Sequence, residues 1–126
     1  MSYWVSHPNV VRLLLSKGLS PDAVSWNGGE PFIVSAGIFG DTESIRLLIK
    51  AGADVNARDR RGSTALLGLF HVGKAPAESI RLLLDAGADV NAREHDGRTA
   101  LQEAIRLRNH EAETLLREAV EKARKP

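Results

Sequence analysis

The sequence predicts a mainly α-helical solenoid of stacked repeats, and three observations carry that prediction. ESIRLLIKAGADVNAR at Glu43–Arg58 returns 35 positions later as ESIRLLLDAGADVNAR at Glu78–Arg93, changed only at Ile49/Leu84 and Lys50/Asp85. A near-identical block at that period marks a repeat architecture. Two sets of glycines keep the same time: Gly18, Gly52 and Gly87, and Gly28, Gly62 and Gly97, spaced by 34 and then 35 residues. The apolar runs ahead of the first set (VVRLLLSK, SIRLLIKA, SIRLLLDA) have helical periodicity.

The elements follow in chain order. Asn9–Lys17 reads as a first long helix, closed by Gly18, where glycine takes the left-handed conformation that ties off the last carbonyls. NGG around Gly28 is a turn. Pro31 then opens a short helix over 31–38, since proline suits the first helical position. A second long helix spans 42–51 and stops at Gly52. RRG at Gly62 is the next turn, and Thr64 can cap a short helix over 65–72. The third long helix spans 77–86, before Gly87. HDG at Gly97 turns the chain again, and Thr99 caps a short helix over 99–107.

The last helix, 111–123, keeps Ala112, Leu115, Leu116, Ala119, Val120 and Ala123 on one face. Apart from Thr114 its other positions are charged, with Glu113–Arg117 and Glu118–Lys122 at supportive i,i+4 spacing. It reads as a terminal cap over core that the last repeat would otherwise expose. Leu47, Leu48, Leu66, Leu82, Leu83 and Leu101 are expected between units. The front is less complete. Only Met1–His7 precedes the first long helix, so either Tyr3, Trp4 and Val5 fold back on it, or it self-associates, or the chain is cut from a longer array.

Composition narrows the function. The chain has 126 residues, 43% hydrophobic and 26% charged, as in an ordinary globular domain. A net charge of +1 makes no case for nucleic acid or a membrane surface. Absence of cysteine excludes disulfides and thiolate metal sites. It suits a cytoplasmic protein, with the nucleus as the alternative. His7, His71, His95 and His110 form no i,i+4 pair, and neither G-x-S-x-G nor G-K-[ST] occurs. No enzyme, metal or cofactor is therefore expected. Glu103 and Glu111 read as solvated helix carboxylates.

DRRGSTAL at Asp59–Leu66 and DGRTAL at Asp96–Leu101, with AGADVNAR twice, resemble the ankyrin repeat family over nearly the whole chain. Four units are implied: 1–24, incomplete, then 25–58, 59–93 and a C-terminal 94–126, all within one domain, 1–126. Short β-turn or hairpin loops would link the helix–turn–helix units. The sequence departs from the family in three ways. Ile33, Leu67 and Gln102 replace the histidine that follows the family leucine. The surplus residues fall between helices, at AGIFGDT and HVGKAPA. Bulky Leu69 and Phe70 stand where alanines are usual, with Gly68 offering room.

The resemblance implies protein–protein recognition by the concave face. That face comprises Trp26, Asn27 and Gly29 on the first loop tip, Arg58, Arg60, Arg61 and Ser63 on the second, and Arg93, His95, Asp96 and Arg98 on the third. The short helices add Gly37, Ile38 and Phe39, then His71 and Val72, then Arg106 and Arg108. Trp26, with nearby apolar residues, is the natural interface anchor, unless the indole packs on the neighbouring loop or covers the incomplete first unit. The arginines suit an acidic partner segment, unless Asp59 and Glu94 neutralise them. Asn56 and Asn91, each eight residues after a leucine (Leu48, Leu83), match asparagines that some family members have hydroxylated. The plainer role is bonding local backbone. A monomer is expected. Nucleic acid lacks support because aromatic residues do not interleave the basic ones. The alternative is a targeting or regulatory domain within a larger protein.

Overall fold

In the computed structural model, residues 8–24, 29–71 and 75–124 are described. Tyr3, Trp4, Val5, Trp26, Asn27 and Val72 lie outside them. Among the described residues seven helices follow one another: α1 Pro8–Ser16, α2 Phe32–Phe39, α3 Thr42–Lys50, α4 Ala65–Gly68, α5 Ala77–Asp85, α6 Ala100–Arg106 and α7 His110–Arg124. There is no strand among those residues. An antiparallel bridge joins Val24 to Pro31. The linkers are therefore turns, such as those closed by Asp59 N–H on the Ser63 carbonyl at 3.0 Å and Glu94 N–H on the Arg98 carbonyl at 3.4 Å.

Two layers result. In the outer layer α3 packs on α1, α5 on α3 and α7 on α5. The repeat makes this layer uniform: Ser44, Ser79 and Ala112 occupy one buried position, and Leu48, Leu83 and Leu116 another. Thr42 and Ser79 hydroxyls hydrogen-bond across it at 2.7 Å. In the inner layer α2 packs on α4. A Cβ on Gly37 would lie 2.4 Å from the Ala65 carbonyl oxygen, and one on Gly68 would lie 3.0 Å from Ile38 Cγ1. The glycines let α2 and α4 approach closely, and the room at Gly68 is taken by Ile38.

Helix ends obey the sequence. Gly52 and Gly87 both have φ near 97°. The next residues, Ala53 and Ala88, donate their N–H to Leu48 and Leu83 carbonyls at 2.9 Å. Thr64 accepts from Leu67 N–H, and Thr99 forms a full capping box with Gln102. Gln102, in place of the family histidine, thus secures the start of its own helix.

α4 falls furthest short of its predicted span. α4 stops at Gly68 rather than 72, because glycine weakens the helix and the chain continues in tighter turns. Phe70 and His71 N–H groups bond the Leu67 and Gly68 carbonyls at 3.1 Å. Leu69 and Phe70 are thereby turned into the core. Leu48, Leu66 and Leu83 are fully buried as expected, but Leu47, Leu82 and Leu101 are only half-buried.

Polar ladders set the register between units. Asn56 Oδ1 accepts Asp89 N–H at 2.7 Å, and its Nδ2 donates to the Gly87 carbonyl at 3.1 Å. Asp22 makes the equivalent bond to Asp54 N–H at 2.7 Å. On the back, Arg12 meets Glu43 at 3.5 Å, Glu43 meets Arg46 at 3.0 Å, and Arg46 meets Glu78 at 2.6 Å. The Glu78 and Glu43 carboxylates raise the Arg46 guanidinium above its ordinary range.

The unit of α6 and α7 differs from those before it. The position held by fully buried Ile45 and Ile80 becomes Glu113, which meets Arg117 at 2.8 Å. On the inner helix, Ile105 occupies the position of buried Phe70 and is 46% exposed.

These bonds generate an asymmetric prediction. Asn56→Ala removes two inter-unit hydrogen bonds and should cost about 1–2 kcal/mol. Asn91→Ala, at the same repeat position but with no following AGAD loop to bond, should stay within about 0.5 kcal/mol of wild type. Equal losses in urea melts would refute the ladder.

Candidate protein-binding surface

The loop tips divide into arginines that hold the fold and arginines that do not. Arg58 Nη1 donates to the Gly62 carbonyl at 2.8 Å and the Arg93 carbonyl at 3.0 Å. Arg93 repeats the first bond, reaching the Gly97 carbonyl at 2.6 Å. Both come from the repeated NAR and brace the turn four residues on. Arg60 is exposed.

Asp59 sets the shape of the second tip. Its side chain is only 6% exposed, and one carboxylate oxygen accepts Arg61 and Ser63 N–H groups at 2.9 Å. It does more than neutralise neighbouring charge. Ser63, expected at the surface, is fully buried beside it. The turn draws its backbone inward, so Ser63 cannot touch a partner. Gly37 is likewise buried against Ala65. At the end of α2, Ile38 is half-buried against Gly68, whereas Phe39 is 47% exposed.

Five of the proposed residues, Arg61, His71, Asp96, Arg98 and Arg106, line one open cleft of about 350 Å³ between the second and third tips. Phe70, Glu94 and Glu103 complete its lining. The tips touch through His95 N–H on the Arg61 carbonyl at 3.3 Å. The His95 ring lies close over Gly62, where a Cβ would sit 3.0 Å from Cδ2.

Glu103 organises the cleft. Its side chain is 11% exposed and accepts Arg106 Nη2 at 2.7 Å and Arg98 Nη1 at 3.3 Å. It is not the solvated carboxylate that the sequence suggested. The Arg106 hydrogen bond, opposed by burial, holds its carboxyl below the ordinary value, and the pair raises Arg106 in turn. The signal was present in the sequence: Arg106 stands one helical turn after Glu103. Opposite, His71 Nε2 lies 3.0 Å from Glu94 Oε1. Arg61 reaches only a 3.8 Å contact with Asp59 and is 64% exposed.

The repeat geometry agrees with the comparison to known families. The family model for ankyrin repeats in three copies matches residues 32–125. This chain belongs to the ankyrin repeat family. Ankyrin repeats are generally protein–protein interaction modules and typically non-enzymatic. The chain is also similar to an ankyrin repeat-containing protein of Schizosaccharomyces pombe, 38% identical over 58 residues, which is 46% of this chain and 28% of that protein. It therefore aligns with little more than a quarter of the relative's length. No helix among the described residues is long and apolar enough to cross a membrane.

The lowered Glu103 carboxyl has a pH signature. A depressed folded value means that the stabilising contribution is complete above the ordinary 4.5 and is lost as pH falls through the lowered value. The stability difference between wild type and Glu103→Gln should therefore be constant around neutrality and shrink below about pH 4.5. A difference that grows on acidification in denaturant melts would contradict the assignment.

Proposed function

We propose that the protein recognises a partner protein through its concave face, centred on the cleft of Arg61, His71, Arg98 and Arg106, as one ankyrin domain over 1–126. The observation that carries this reading is the state of the guanidiniums. Arg98 and Arg106 are each about half exposed while pinned in place by Glu103. Each retains N–H donors beyond those Glu103 occupies. Pre-positioned arginines with unused donors suit partner carboxylates, at a reduced ordering cost. Trp26, Asn27, Phe39, Arg60 and His95 extend the same surface in this reading. Ser63 and the turn-bracing Arg58 and Arg93 leave it.

Charge supports a protein rather than a nucleic acid. Three arginines in the cleft face Glu94, Asp96 and Glu103, which oppose a phosphate backbone. We take the protein to be a monomer that acts by binding rather than catalysis, in the cytoplasm or nucleus. Leu13 on α1, 54% exposed, marks where self-association would start. A second reading, a targeting or regulatory module of a larger protein, is favoured by the 28% share of the relative that the chain matches.

Quantitative affinity capture from extracts of the source organism tests the surface. Arg61→Ala with Arg98→Ala should weaken a captured partner by about 1–2 kcal/mol, and Trp26→Ala by about 2 kcal/mol. Glu118→Ala with Lys122→Ala, on the exposed face of α7, should bind as wild type. Loss with the α7 pair alone would place the partner on the convex side.

A further inference from the structure

Resting on that reading, we infer that the cleft selects a mixed-charge segment, an Asp or Glu set beside a Lys or Arg, rather than an acidic run. The cleft is balanced: Arg61, Arg98 and Arg106 stand with Glu94, Asp96 and Glu103, and His71 adds charge only when protonated.

The balance is not internal cancellation throughout. Glu103 is consumed, because its two oxygens accept three bonds from Arg98 and Arg106. Arg61 is held only by a 3.8 Å contact with Asp59 Oδ2, longer than a hydrogen bond, while Asp59 Oδ1 takes two backbone N–H groups. Positive capacity therefore remains at Arg61 and on the free edges of Arg98 and Arg106.

Negative capacity remains beside it. Asp96 is exposed and spends one oxygen on Arg98 N–H at 3.1 Å. Glu94 spends one oxygen, Oε1, on His71 Nε2 at 3.0 Å. The two signs are neighbours, because His95, between Glu94 and Asp96 in sequence, bonds the Arg61 carbonyl. A partner carboxylate on Arg61 and Arg98 therefore comes close to Glu94 and Asp96. An acidic run would set like charges there, whereas a basic residue next to the carboxylate satisfies both. Such juxtaposition of like charge is what excludes wrong partners.

The test is selection from a displayed random-peptide library on the full chain, with thermal melts to confirm that each variant folds. Wild type should enrich peptides pairing Asp or Glu with a nearby Lys or Arg. Arg61→Ala should weaken a synthetic peptide of that kind roughly fivefold, the upper end for a partly exposed ion pair. Glu94→Gln with Asp96→Asn, which keeps the acceptor oxygens, should shift enrichment to purely acidic peptides. Acidic-only peptides on wild type, still dependent on Arg61, would overturn the mixed-charge inference and leave the concave-face reading standing. Peptides indifferent to every cleft variant, or no enrichment above an unrelated folded control, would count against both.

Discussion

Everything on the concave face depends on how closely α2 and α4 can stack. At Gly37 the neighbouring element is backbone: a Cβ there would overlap the Ala65 carbonyl oxygen and approach its Cα to 2.9 Å. Backbone cannot swing aside as a side chain can. At Gly68 the nearest atom is Ile38 Cγ1, which has some freedom. Close approach seals Val34, Ala36, Ala65 and Leu66, and dense packing of that kind fixes one arrangement. The residues that follow α4 inherit their position from it, including Phe70 and His71 in the cleft.

The repeated motif and the lining of the cleft are separate sets of residues. AGADVNAR supplies the glycine that ends a helix, the aspartate that turns the loop, the asparagine that reaches the next unit and the arginine that braces the tip. What varies between units lies elsewhere: Arg61, His71, Arg98, Glu103 and Arg106 have no repeated counterpart. A stacked fold permits this division, since each unit needs only its neighbours to hold shape.

Much of the fold was legible because it is written in local chemistry. Helix ends follow glycine, helix starts follow Thr64 and Thr99, and the buried leucines follow helical periodicity. Long-range placement was less legible. Ser63 and Gly37 look like surface residues in sequence, but one is drawn in by the Asp59 turn and the other by α4. α4 ends early because Gly68 serves packing and not helix propensity. Arg58 and Arg93 read as free charges, since their carbonyl partners appear only once the tips are folded. Glu103 read as a solvated carboxylate because, although Arg106 stands one turn away, nothing in the sequence shows that Arg98 also reaches it from the loop tip. The resemblance placed Arg61, His71, Asp96, Arg98 and Arg106 on one face among many others. That they share one cleft, with Glu94 and Glu103, needed the structure.

The stability of Gly37→Ala tests the central dependence most directly. In an ordinary helix interior this change adds about 1 kcal/mol of stability. Here the added methyl meets backbone, and overpacking should reverse the sign, with a loss of about 1–3 kcal/mol in a urea melt. A variant as stable as wild type, or more so, would show that α2 and α4 do not require the close approach on which the concave face is built.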